Sequence, residues 1–139
     1  MKILIISDSH GNLSRVLNLA EKYKDYTKIH LGDRGFDSKS LEELGFYYVD
    51  GNCDYTQSVK TRICEIDGKR FLLTHGDLYN VRNSINNLYY LGLENKCDYV
   101  LFGHTHVQFK EIGDISFINP GALKDNHYCV IEDDIIKFF

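Results

Sequence analysis

The chain has 139 residues, enough for one domain with a substantial core, and its 43% hydrophobic and 26% charged content is ordinary for a globular protein. Sixteen Lys and Arg against twenty Asp and Glu give a formal net charge of -4. That balance excludes the broad basic surface on which general nucleic-acid binding depends. It leaves room for an anionic substrate, because bound metal ions can supply positive charge locally.

Taken in chain order, Ile3-Leu4-Ile5-Ile6 is a short apolar run of the kind found in buried parallel strands. Asn12 can cap a helix reaching residue 24, with Leu13, Val16, Leu17, Ala20 and Tyr23 as its apolar stripe. A second strand is expected over residues 28–31, a short helix over 40–44 and a third strand over 46–49. Strand, helix, strand, helix, strand implies parallel pairing with right-handed crossovers.

The second half changes character. Residues 59–66 and 71–74 flank Asp67-Gly68, a hairpin signal. A helix is expected over 81–91, then a strand ending at Gly103. Two more hairpins follow, around Gly113-Asp114 and Asp133-Asp134. With no repeat, linker or low-complexity tract, the pattern predicts one α/β domain over residues 1–139, with a pair of mixed sheets and helices packed outside.

Cys53, Cys64, Cys97 and Cys129 are widely spaced and form no CxxC. They read as reduced thiols of a cytoplasmic protein. No apolar run approaches the ~20 residues of a membrane helix, and Asp8-Ser9-His10 cuts the first run too short for a signal peptide.

Five apolar runs end in residues able to bind a metal: Asp8 and His10 after the first, Asp33 after the second, Asn52 after the third. His75 follows 71–73, and Gly103-His104-Thr105-His106 follows 99–102. In an open α/β sheet, ligands bind beyond the carboxyl ends of the strands. Whether the chain runs on extended after Gly103 or turns there, His104 and His106 stay at that lip. Gly32, Gly51, Gly76 and Gly103 stand beside these residues, where the backbone must turn or come close to a bound group.

Two Asp, one Asn and four His exceed the needs of one tetrahedral zinc. Imidazole and carboxylate together suit manganese, iron, zinc, cobalt or nickel better than calcium. Seven ligands divide over two metals if one carboxylate bridges, and such a pair is a clamp for in-line displacement at phosphorus.

These residues resemble the DxH, GD, GN, H and GHxH pattern of the calcineurin-like metallophosphoesterase superfamily, in order, along essentially the whole chain. The small, capless YfcE-like phosphodiesterase group is the most similar. The resemblance implies a four-layer αββα sandwich of two mixed sheets flanked by helices. It further implies two divalent transition-metal ions, manganese first. Asp8, His10 and His106 would take one metal, Asn52, His75 and His104 the other, with Asp33 bridging. A metal-bridging hydroxide would attack a phosphodiester or phosphomonoester in line, with His10 and Asn52 also contacting the phosphate. The expected partner is a small phosphorylated substrate, with oligomerisation left open.

Where many relatives carry His after Gly-Asn, this chain has Cys53, a poor proton donor for a leaving group. Asp77 stands where a second His often follows His-Gly, and Ala122 replaces a Ser after Asn119-Pro120-Gly121. Arg34 and Cys53 are candidate substrate contacts; for Arg34 the alternative is a solvated loop. Asp54 either orients a ligand-bearing group or caps a turn. His30 reads as a packed core histidine, and most of the ten tyrosines fall on apolar periodicity. Two other functions stay open: a phosphomonoesterase, and a non-catalytic protein-binding scaffold like the small retromer subunit.

Overall fold

The computed structural model describes residues 1–139 throughout. In chain order the elements are β1 (Lys2–Ile6), α1 (Leu13–Lys22), β2 (Thr27–His30), α2 (Ser38–Glu43), β3 (Phe46–Tyr48), β4 (Thr61–Ile66), β5 (Lys69–Thr74), α3 (Asn86–Glu94), β6 (Tyr99–Leu101), β7 (Phe109–Glu111), β8 (Ser116–Asn119), β9 (Cys129–Glu132) and β10 (Ile135–Phe138). They form two five-stranded sheets, ordered β10-β9-β1-β2-β3 and β4-β5-β6-β8-β7.

Both sheets are mixed. In the first, β1, β2 and β3 run parallel, and β9 and β10 return antiparallel beside β1. In the second, β5, β6 and β8 run parallel, with β4 and β7 antiparallel at the edges. The three hairpin signals each join an antiparallel pair, as the turn chemistry predicts.

Alternation along the strands builds the layers, because successive side chains point to opposite faces. Ile3, Ile5, Ile29 and Ile131 of the first sheet meet Phe71, Leu73, Leu101 and Ile118 of the second in the central core. Leu4, Ile6 and Val130 face the other way, against Val16, Leu19 and Ala20 of α1 and Leu41 of α2. Leu72 and Val100 likewise turn outward beneath Leu88 of α3. The result is the four-layer αββα sandwich.

Two helices differ in detail from the expectation. The buried stripe of α1 runs through Leu19, while Leu17 is 47% exposed. Asn12 is the cap as expected, its Oδ1 accepting from the Arg15 N–H at 3.2 Å. The helix expected over 81–91 begins five residues later, after turns at 77–83. Val81 packs with the α3 core from that turn, and of the expected apolar side Ile85, Leu88, Tyr89 and Leu91, Leu88 is fully buried while Tyr89 is 42% exposed.

The corrected α1 face is testable by urea unfolding. Leu19→Ala should cost about 2–5 kcal/mol, the usual range for a buried leucine, and Leu17→Ala less than about 0.5 kcal/mol. Equal losses would contradict the observed face.

Candidate metal centre

The carboxyl ends of β1, β2 and β3 lie along one edge of the first sheet, and those of β5 and β6 along one edge of the second. Backbone bonds sew these ends together. The Asp8 N–H donates to Gly32 O at 2.9 Å, and His10 N–H to Asp33 O at 3.0 Å. Gly103 N–H donates to His75 O at 3.0 Å. Across the sheets, the His104 N–H reaches Asp8 Oδ2 at 3.2 Å.

Six of the seven expected ligands converge there. Asp8 Oδ1 lies 3.1 Å from His106 Nε2, 3.6 Å from His10 Nε2 and 3.9 Å from His75 Nε2. Asp33 Oδ2 lies 3.1 Å from His75 Nε2 and 3.8 Å from His10 Nε2. His104 Nδ1 is 3.3 Å from His75 Nε2. The imidazoles form two edge-on pairs, His10 with His106 and His75 with His104, at ring-centroid separations of 5.3 and 5.1 Å.

Asn52 stands on the neighbouring loop with an exposed side chain, its amide directed at Cys53 Sγ 3.6 Å away. Cys53 is exposed, and its N–H donates to Asp33 Oδ1 at 2.8 Å. Partial burial, then the charge on Asp33, push its thiol pKa up. The group is therefore a weak acid and a weak nucleophile.

The donor set fits metal ions. Metal–ligand bonds of ~2.0–2.2 Å set neighbouring donors roughly 3–3.5 Å apart, close to the shorter separations here. Asp8, His10 and His106 form one group of mutually close donors, and Asp8, Asp33 and His75 a second. The Nδ1–H of His75 donates to Leu31 O at 2.7 Å, which leaves Nε2 to face the cluster.

Electrostatics point the same way. For Asp33, burial acts upward on the pKa, but the hydrogen bond and charge of His75 and the Cys53 N–H outweigh it and hold the carboxyl well below its usual range. For His75, burial acts downward, yet Asp33 and Asp8 together raise it. His104 is lowered by burial and by the neighbouring His75.

Five of these residues adopt left-handed backbone: Asp8 (φ 54°), His10 (44°), Asp33 (58°), His104 (70°) and His106 (64°). Of the two routes open after Gly103, the chain takes the turn. Such a conformation costs a non-glycine residue about 1–3 kcal/mol and persists only where its surroundings over-determine it. Two glycines show how tight those surroundings are. A Cβ on Gly51 would sit 2.2 Å from Asp33 Oδ1, and one on Gly103 2.1 Å from Ser7 Oγ and 2.7 Å from Asp8 Oδ2.

Arg34 is placed differently from either expectation. It is 2% exposed, which rules out a solvated loop. Its guanidinium donates to Asp50 Oδ1 (2.8 Å), Asp54 Oδ2 (3.3 Å), Thr56 Oγ1 and Phe36 O, so it is engaged within the protein and not offered to a phosphate. Asp54 orients ligand-bearing backbone: its carboxylate accepts from the N–H groups of Asp33 (2.8 Å), Arg34 (2.9 Å) and Gly51 (2.7 Å). His30 is a core histidine, fully buried and pushed down to about 3 by burial and by Arg34. It accepts from the Gly32 N–H and donates to Ser9 Oγ at 2.8 Å.

One supporting residue carried only a turn signal in the sequence. Asn119 is fully buried, and its amide donates to Gly103 O and Thr105 Oγ1, each at 3.0 Å. It thereby pins the loop that carries His104 and His106.

Comparison with known proteins agrees with this geometry. Residues 1–132 match the model of the calcineurin-like phosphoesterase superfamily domain. A probable metallophosphoesterase of Bacillus subtilis, YsnB, is 33% identical over 89% of this chain and 76% of its own. A phosphodiesterase of Methanocaldococcus jannaschii is 32% identical over 87% of this chain and 83% of its own. Among solved structures, a predicted phosphoesterase from Streptococcus pneumoniae superposes with a TM-score of 0.90 at 26% identity, covering 99% of this chain and 88% of that one. Zinc-bound Vps29 of Entamoeba histolytica shares the fold, with a TM-score of 0.77 at 18% identity over 100% and 97% of the two chains. The chain belongs to the calcineurin-like phosphoesterase superfamily.

Proposed function

We propose that the chain hydrolyses phosphodiesters at a centre of two divalent transition-metal ions, manganese first among them. The observation that carries this reading is the pairing of imidazoles around two buried carboxylates, His10 with His106 and His75 with His104. Asp33 lies within 4 Å of one imidazole from each pair, as a bridging ligand requires. Asn52, on the adjoining loop, would complete the His75–His104 side. The M. jannaschii relative is itself named a phosphodiesterase.

Bound there, two ions would supply Lewis acidity toward the phosphoryl oxygens and a water acidic enough to attack in line. The chain's own residues do the rest. Leu31 O fixes the tautomer of His75, and the Cys53 N–H and the Asp54-anchored backbone hold Asp33 in place. The side chains of His10 and His106 keep 30% and 32% exposure, so the phosphoryl group enters from their side and His10 can hydrogen-bond it. Cys53 protonates a leaving group poorly, which favours activated aryl esters over alkyl ones. A non-catalytic scaffold has the Vps29 likeness behind it, zinc included, so turnover rather than metal binding separates the two readings.

The purified chain should bind about two transition-metal ions and hydrolyse bis(p-nitrophenyl) phosphate with Mn²⁺. His104→Ala and Asp33→Ala should each abolish turnover. Full activity in either variant, or after complete removal of metal, would sink the proposal.

Metal loading should also release protons. The raised pKa of His75 means that its Nε2 holds a proton more firmly than a free imidazole does, and a metal must displace that proton. Calorimetry in buffers of different ionisation enthalpy should show net proton release on metal loading. The release should shrink as the pH rises through the raised value, and His75→Gln should remove it. Uptake of protons on loading would contradict the assignment.

A further inference from the structure

A cavity of about 460 Å³ lies between the loop after β2 and the loop after β3. Its size falls in the ~300–1,000 Å³ range of small-molecule sites. Cys53 is part of its wall, and the N–H of the same residue is hydrogen-bonded to Asp33 Oδ1. The cavity and the metal centre therefore share a boundary.

Two aromatic rings line it, and they differ in setting. Phe36 is half-buried, packed against the helix layer and edge-on to His30. Tyr55 is fully exposed, and no other tyrosine exceeds 63%. It does not belong to the apolar periodicity that accounts for most of the others. An aromatic ring left wholly in water at the lip of a cavity is available for stacking on a flat ligand.

The charges narrow the ligand class. Arg34 is the one cation in the wall, and its donors are taken by Asp50, Asp54, Thr56 and the Phe36 carbonyl. The wall also carries the Asp37 and Asp54 carboxylates. A second phosphate or a carboxylate would meet negative charge with no free cation to offset it. An alkyl chain would find only Phe36, Cys53 and Tyr55 as apolar wall, the remaining lining being polar or charged side chains and Gly35. A flat, uncharged ring with polar edges meets both demands, with stacking on Tyr55 and hydrogen bonds at the rim.

We propose that this cavity holds the nucleoside of a nucleotide ester whose phosphate sits at the metal centre, with the base stacked on Tyr55. The proposal rests on the phosphodiesterase reading and names the substrate class of that site. Because Tyr55 is fully exposed, replacing it removes the ring without opening a hole in the core.

The test is calorimetric titration of the Mn²⁺-loaded protein with adenosine monophosphate and with ribose 5-phosphate, the same phosphate without a base. Adenosine monophosphate should bind about tenfold tighter or more. In Tyr55→Ala the advantage should fall to about twofold or less, and Tyr55→Trp should restore it. Equal affinities in the original protein, or an advantage that survives Tyr55→Ala, would overturn the proposal. Hydrolysis of bis(p-nitrophenyl) phosphate by the same preparations separates the two readings. An active enzyme without preference for the base overturns the cavity assignment alone. Preference for the base without any hydrolysis upholds the cavity and overturns the phosphoesterase.

Discussion

The structure is organised around a demand that is expensive to meet, namely holding the Asp8 and Asp33 side chains almost wholly out of water. An unpaired buried charge is among the costliest features a fold can carry. Each carboxylate is therefore met by donors drawn from other parts of the chain. Asp8 receives the Ser7 hydroxyl and the His104 N–H, and Asp33 the Cys53 N–H and the His75 ring. Parallel pairing within each sheet brings the ends of five strands to one edge, and packing of the two sheets brings the two edges together.

Behind that edge lies a second tier of polar support. Asp54 ties the loop after β2 to the loop after β3 through three backbone N–H groups, and Arg34 is ion-paired with both Asp54 and Asp50. Asn119 does for the loop after β6 what Asp54 does for the others. This tier explains how five non-glycine residues in one site hold left-handed backbone. Local strain persists because several independent hydrogen bonds would have to break together before any one residue could relax.

Much of this was legible in the residues. Unbroken apolar runs at Ile3 to Ile6 and Phe71 to Leu73 mark strands buried on both faces, and Asp67-Gly68, Gly113-Asp114 and Asp133-Asp134 mark the hairpins. The ligand-bearing strand ends could be read because their residue types are out of place beside apolar runs. Periodicity alone could not separate Leu17 from Leu19, since which flank of α1 faces the sheet depends on the crossover that docks it. It also could not tell the turn holding Val81 from a helix, because a buried apolar residue leaves the same trace in either. Arg34 next to Asp33 invites a phosphate contact on paper. Only the fold shows that Asp50 and Asp54, distant in sequence, take its guanidinium. Tyr55 went unnoticed for a similar reason, because exposure of a single ring is not written in its neighbours.

The distribution of the ligands has a consequence for how the protein comes together. Asp8 and His106 are 98 positions apart, and neither sheet supplies both of them. A half-made chain therefore offers an incoming ion only scattered donors, and the centre comes into being when the last ligand strand docks. Once bound, ions here would cross-link the two halves of the sandwich and add their binding energy to the interface between the sheets. The edge that carries the chemistry would thus also be a clasp, fastened after folding and released whenever metal is withdrawn.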